Sequence, residues 1–175
     1  MEGDYALLSI GVTGNIKNIG LKKLGIKIES GAIKINEFNQ TSIPNIYAIG
    51  DVSGPPWLAH VASAQGNVAV EHAFNKNAQP IDYTIIPGCT YCQPQVASIG
   101  LSEDDAIRKG YDIRVGKYLF KSNGKAMAYG HNNGFVKLIF DNKYGELIGA
   151  HIIGRDATEL IAELSLAKAL EATWE

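Results

Sequence analysis

Thr41-Ser42-Ile43-Pro44-Asn45-Ile46-Tyr47-Ala48-Ile49-Gly50-Asp51 is the stretch that decides how the rest of the chain is read. Its second half, Ile46 to Ile49, is an apolar run too short for a helix, and Gly50-Asp51 stops it sharply. Such a run reads as a central strand, buried on both faces. Asp51 then stands at the C-terminal end of that strand, where ligands of open α/β sheets bind. A carboxylate there accepts hydrogen bonds and donates none, which suits the hydroxyls of a sugar or ribityl chain. Gly50 beside it lets a ligand approach the backbone. The alternative is that Asp51 merely caps the loop that follows.

Moving outward, Val52-Ser53-Gly54-Pro55-Pro56 is a rigid loop, and Leu58 to Phe74 reads as a helix. That helix is rich in small residues, among them Ala59, Ala62, Gly66 and Ala69, so its backbone can lie close to a sheet or a ligand. Strand, loop and helix in this order make an α/β nucleotide-binding layer. The helix start at Leu58-Ala59-His60 presents unpaired N–H groups and a partial positive charge, a place for an anionic group. Upstream, Tyr5 to Ile10 reads as a buried strand ended by Gly11. Ile26 to Ile28 and Ala32 to Ile35 alternate as strands about a turn at Ser30-Gly31, and Asn36 to Pro44 is a polar loop.

Asn75 to Asp82 is polar and contains Pro80, so the expected division is 1–80 and 81–175. The second part has a different style. Thr84 to Gly100 is β-like, and Ser102 to Asp105 opens a short helix as a capping box that Gly110 closes. Asp112 to Phe120 is a strand. Phe135 to Phe140 and Leu147 to Ile153 make a hairpin. Asp156 and Glu159 are expected to cap a helix reaching about Ala172, with Leu160, Ile161, Leu164, Ala167 and Leu170 as its apolar face. The fold class is therefore α/β plus α+β, the second part built on an antiparallel sheet.

Composition narrows the function. Apolar residues are 46% and charged residues 19%, with a formal charge of −2. That argues against nucleic acid as a main partner, which needs a basic surface. No apolar run approaches the roughly 20 residues of a membrane span. The start, Met1 to Gly11, is neither a secretory signal nor Arg-rich like a transit peptide, so the sequon at Asn39 reads as coincidental. Two cysteines make no disulfide framework, and a reducing, cytoplasmic setting is the default. Cys89 and Cys92 form C-x-x-C, a spacing shared by redox dithiols and half zinc sites. No second pair follows, and the run is β-like, so neither role is expected. The four histidines lack metal-site spacing, and no metal is expected. Both ends of the chain are abrupt, which suggests a piece of a longer protein.

The strand with Asp51 resembles the second flavin-binding motif of the two-dinucleotide-fold flavoprotein reductases. L-A-H-x-A-x-x-x-G, starting at Leu58, narrows the likeness to the dihydrolipoamide dehydrogenases of the class I pyridine nucleotide-disulfide oxidoreductase family. The resemblance extends over the chain. It includes Ser9-Ile10-Gly11, the I-P…Y…P-x-V-A-x-I-G-L-S-E run at 86–103 and G-A-H-I-I-G…E-L-I-A-E at 149–163. The last two resemble the family's dimerisation domain, and the first part the tail of its FAD/NAD layer.

What the resemblance implies follows residue by residue. Asp51 would bind ribityl or ribose hydroxyls of FAD. Leu58, Ala59 and His60 would turn backbone N–H groups to the isoalloxazine edge, with Trp57 just before them. Gly11 would lie against NAD. The family oxidises protein-bound dihydrolipoamide with NAD+ as a homodimer, served by the lipoyl domain of a 2-oxoacid dehydrogenase or glycine cleavage complex. No catalytic residue is expected within these 175 positions. The chain alone is expected to be inactive and to hold FAD weakly or not at all. Two departures stand out: Val12-Thr13-Gly14-Asn15 replaces the arginine usual after the glycine, and Gln93 and Gln95 stand where charged residues are usual. The competing readings are a non-catalytic dimerisation module, another flavin disulfide reductase, or a transhydrogenase.

Overall fold

Ser30 and Gly31 both take positive φ, 49° and 80°, a reversal whose twist matches paired strands. It joins β1 (Ile28–Glu29) to β2 (Ala32–Ile33), antiparallel, with Ile28 opposite Ile33. In the computed structural model, which describes residues 3–175, this hairpin belongs to the first of two compact units, Met1–Ile81 and Asp82–Glu175. Ile26, Ile33 and Ala48 are its buried core, with Ile16, Leu21 and Val52 packed against them. Helix α1 (Ala59–Ala73) buries Val61, Gln65, Val68 and Ala69, a stripe at helical spacing.

Two strands expected here do not form. Ile46 to Ile49 is extended but bridged at only one point, Tyr47 to Gln40. The Thr41 N–H donates to the Ile46 carbonyl at 2.9 Å, and the Ala48 N–H to that of Asn39 at 3.0 Å. The neighbouring backbone is bent by Asn39 (φ 62°) and Asn45 (φ 71°), so no ladder propagates. Tyr5 to Ile10 is also not a buried strand. Tyr5 is 98% and Leu7 93% exposed, and no described strand pairs with the run. Apolar periodicity proposes a strand, but a strand needs a neighbour for its backbone groups.

The second unit is a five-stranded antiparallel sheet in the order β3-β4-β7-β6-β5. Its strands are β3 (Gly88–Thr90), β4 (Gln95–Gly100), β5 (Ile113–Leu119), β6 (Phe135–Asp141) and β7 (Leu147–Gly154). Alternation sorts the side chains. Ala97, Ile99, Ala150 and Ile152 pack with Ala157 and Ile161 of helix α4 (Ala157–Ala169). Burying each of these isoleucines stabilises by about 1.5–3 kcal/mol. Ile139 points the other way, to Ala106 of helix α2 (Glu103–Arg108). Beside it Lys137 reaches Glu103 at 3.0 Å. A Cβ on Gly149 would run into the Leu101 carbonyl, so only glycine lets the α2 approach lie against β7.

Helix α2 starts and stops as its sequence dictates. The Ser102 Oγ accepts from the Asp105 N–H at 3.1 Å and donates to its carboxylate at 2.6 Å. The Asp105 carboxyl is held below the ordinary range by that hydroxyl and by Arg108. At the other end Gly110 (φ 82°) closes it, its N–H donating to the Ile107 carbonyl and that of Tyr111 to the Ala106 carbonyl, the Schellman pattern.

Three features of this unit depart from expectation. A single-turn helix, α3 (Gly124–Ala128), follows Asn123, whose side chain accepts from the Ala126 N–H at 2.9 Å. Asp156 does not cap α4 with its side chain; it sits at φ 59°. Gln95 caps instead, its Oε1 accepting from the Thr158 N–H at 3.1 Å and hydroxyl at 2.9 Å. The packed face of α4 is Ala157, Ile161 and Leu164, while Leu160 and Leu170 are exposed, at 43% and 70%. The helix is apolar on more than one side, and the sheet takes only one of them.

Candidate functional site

Asp51 lies in a single 3-10 turn, Gly50–Ser53. Gly50 enters it at φ 71°, a conformation that favours glycine. Its N–H donates to the side-chain oxygen of Gln65 at 2.7 Å, and the Ser53 hydroxyl donates to its carbonyl at 2.7 Å. The Gly54 N–H closes the turn on the Asp51 carbonyl at 3.3 Å. The carboxylate itself is exposed and has no hydrogen-bond or ionic partner among the described residues. Main chain and neighbouring side chains hold the turn, so the Asp51 side chain is not its cap.

Two close approaches shape the surroundings. A Cβ on Gly14 would fall 2.9 Å from both the Asp51 carbonyl and the Val52 Cα. The segment after Gly11 therefore backs directly onto this turn, and only glycine fits there. A Cβ on Gly50 would come within 3.3 Å of the Ala62 methyl, which explains a small residue on that face of α1. Neither Gly14 nor Gln65 is singled out by sequence pattern. The one trace of Gln65 is a polar residue interrupting the buried stripe of Val61, Val68 and Ala69.

The start of α1 lies one loop on. Leu58 is its N-cap and gives no side-chain hydrogen bond, so the first-turn N–H groups are left to whatever approaches. Ala59 and His60 are exposed, Leu58 is half-buried and Trp57 is 40% exposed. Gly11 is exposed at φ 98°, with open space where a Cβ would stand. An open hollow of about 800 Å³ runs along residues from Thr13 to Gly31 and does not include Asp51.

The remaining candidates have structural duties. Asn39 of the sequon is 1% exposed, and its Nδ2 donates to the Gln65 carbonyl at 3.1 Å. His72 stacks on Phe38 at 4.6 Å and shares a 2.8 Å hydrogen bond with the Tyr47 hydroxyl. His151 bonds the Leu101 carbonyl at 3.1 Å. Cys89 and Cys92 are both free thiols. Burial pushes the Cys89 thiol up, and the charge of Glu159 adds to the effect, the opposite of what a reactive dithiol needs. Among the described residues no three metal-ligating side chains gather, and no helix is long and apolar enough to cross a membrane.

This geometry can hold a ligand that is hydroxylated at one end and electron-rich at the other. The pairing is an unengaged carboxylate on a rigid turn and, one loop on, a helix start without a cap. An FAD molecule has both features, and the residues present fit it.

Comparison with known proteins agrees with the fold. The chain matches the model of the pyridine nucleotide-disulphide oxidoreductase family over residues 1–66 and that of the family's dimerisation domain over residues 86–175. It is 50% identical to a dihydrolipoyl dehydrogenase of Rhizobium etli across 100% of this chain and 37% of that protein. A dihydrolipoyl dehydrogenase of Bacillus subtilis is 47% identical, across 99% of this chain and 37% of its own length. The crystal structure of LpdA from Mycobacterium tuberculosis superposes with a TM-score of 0.91 at 28% identity, covering 99% of this chain and 38% of its own. The chain thus spans a little over a third of the relatives it matches. From the two consecutive family matches and the agreement in fold, the chain belongs to the pyridine nucleotide-disulphide oxidoreductase family.

Proposed function

We propose that this chain is part of an FAD-dependent oxidoreductase that oxidises protein-bound dihydrolipoamide with NAD+. The observation that carries the reading is the free Asp51 carboxylate on a braced turn beside the uncapped start of α1. The identity to dihydrolipoyl dehydrogenases supports the substrate. The overall reaction balances as dihydrolipoamide plus NAD+ giving lipoamide, NADH and a proton.

When bound, FAD supplies the electron transfer between thiols and nicotinamide. The residues here bind and orient. Asp51 accepts hydrogen bonds from the ribityl or ribose hydroxyls, each worth about 1.5–3 kcal/mol for a charged acceptor. Ala59 and His60 turn main-chain N–H groups toward the isoalloxazine edge, where the helix's partial positive charge favours negative charge, while the Leu58 N–H donates to the Pro56 carbonyl at 3.0 Å. Trp57 immediately precedes these three residues in the chain, and Gly11 offers NAD a main chain without a side chain. No catalytic residue is assigned within these positions.

The partners follow the same reading. The second unit assembles a homodimer, supported by its family description and by the exposed Leu160 and Leu166 on α4 and Leu170 at its C-terminal cap. The electron donor is the lipoyl domain of a 2-oxoacid dehydrogenase or glycine cleavage complex, in the cytoplasm. A second reading, a dimerisation module without a cofactor, is favoured by the self-contained core of the second unit.

Titrating the purified protein with FAD, followed by flavin fluorescence quenching, separates the two. Weak but saturable binding is expected, weakened about a further tenfold in Asp51→Ala. Binding indifferent to Asp51→Ala would overturn the site, and no binding to a well-folded dimer would favour the module.

A further inference from the structure

A polar side chain in the buried stripe of a helix is costly unless it is bonded. Gln65 is 4% exposed, between Val61 and Val68 on the face of α1 that packs inward. What it bonds is the N–H of Gly50, at 2.7 Å and fifteen residues away in sequence. That N–H immediately precedes Asp51. Its own main chain is anchored in turn, since the buried Asn39 donates to the Gln65 carbonyl at 3.1 Å and Asn39 accepts from the Ala48 N–H. The 39–41 loop, the Ile46–Ile49 run and the Asp51 turn are thus all referred to one position on the helix.

We propose that Gln65 is the positioning residue for Asp51: its amide oxygen holds the Gly50 N–H so that the Asp51 carboxylate keeps its orientation toward the FAD hydroxyls. The inference rests on the FAD reading above. Gly50 sits at φ 71°, where a main chain without a tether has other conformations of similar energy to visit. With the tether, the turn and the first turns of α1 are one rigid body, so carboxylate and helix start meet the ligand in fixed register. A site pre-organised in this way spends less of its binding energy on ordering.

The test uses four proteins: wild type, Gln65→Met, Gln65→Glu and Gln65→Asn. Methionine fills the space without a comparable acceptor. Glutamate keeps an acceptor at the same reach, and asparagine keeps the amide one methylene short. FAD affinity is measured by flavin fluorescence quenching, and the melting temperature of each apoprotein is recorded alongside. Gln65→Met and Gln65→Asn are expected to bind FAD about tenfold more weakly, and Gln65→Glu to stay within about threefold of wild type. Rescue by glutamate is the readout that a space-filling role would not produce. Wild-type affinity in Gln65→Met overturns the inference and leaves the FAD reading standing, as does a Gln65→Glu as weak as Gln65→Met. If wild type itself binds no FAD, the reading fails and the inference with it. Should Gln65→Met melt below the assay temperature, the other two decide: equal affinities of Gln65→Asn and Gln65→Glu overturn it.

Discussion

Cys89 and Cys92 show how residue identity and environment part company. Their spacing suits redox or metal chemistry, yet Cys89 lies in strand β3 with its thiol pushed up by burial and by Glu159, while Cys92 is exposed. A raised pKa means less thiolate at neutral pH, and the thiolate is what alkylates. Brief iodoacetamide treatment at pH 7 should therefore label Cys92 and largely spare Cys89, with Cys89 labelling rising only as the solution becomes alkaline. Peptide mass spectrometry reads both sites, and equal labelling at pH 7 would contradict the assignment. The break at Gly50-Asp51 is legible from sequence because the pair ends an apolar run sharply. Gln65 and Gly14 are not legible. Gln65 matters through the Gly50 N–H, 2.7 Å from its side-chain oxygen, and Gly14 because a Cβ there would fall 2.9 Å from the Asp51 carbonyl; nothing local to either residue signals it.

At the scale of elements, helices read better than isolated strands. The helix expected over Leu58 to Phe74 is observed as Ala59–Ala73, and the α2 box and its Gly110 stop are both present. Helical signals are local: a capping residue and a period lie within a few residues of one another. The Phe135–Asp141 and Leu147–Gly154 hairpin also reads correctly, because its partners are neighbours in sequence. Tyr5 to Ile10 and Ile46 to Ile49 fail for the converse reason, since apolar pattern does not say what will pair with them. The start of α4 is an intermediate case. Its cap comes from Gln95, sixty-three residues upstream, which also accounts structurally for a neutral amide at that position. Gln95→Ala should leave the Thr158 N–H without its acceptor and destabilise the second unit by about 1–2 kcal/mol. Asp156→Asn should be near neutral, because asparagine tolerates positive φ and the exposed pair with Arg155 is worth little. Thermal melts compare the two directly. A larger loss for Asp156→Asn would return the cap to the local residue.

Over the whole molecule, the fold class expected from sequence, α/β followed by an α+β part with an antiparallel sheet, agrees with the family matches and with the superposition on LpdA. What sequence leaves open at this scale is which apolar residues serve the chain's own core. Leu160, Ile161, Leu164 and Leu170 look alike in sequence, but Ile161 is 1% exposed while Leu166 and Leu170 are 62% and 70% exposed. A helix needs only one face to pack on its own sheet, and a second apolar face costs solubility unless something covers it. A second copy of the chain is the occupant that the dimerisation-domain match supports. Light scattering on the eluting protein should then report twice the chain mass. Leu166→Asp and Leu170→Asp should each shift it toward the monomer, since an unpaired carboxylate buried in an apolar interface is strongly unfavourable. Neither leucine belongs to the buried core, so circular dichroism and the monomer's fold should survive the change. A dimer that persists in both variants would place the interface on another face of the unit and leave α4's exposed leucines without a role in assembly.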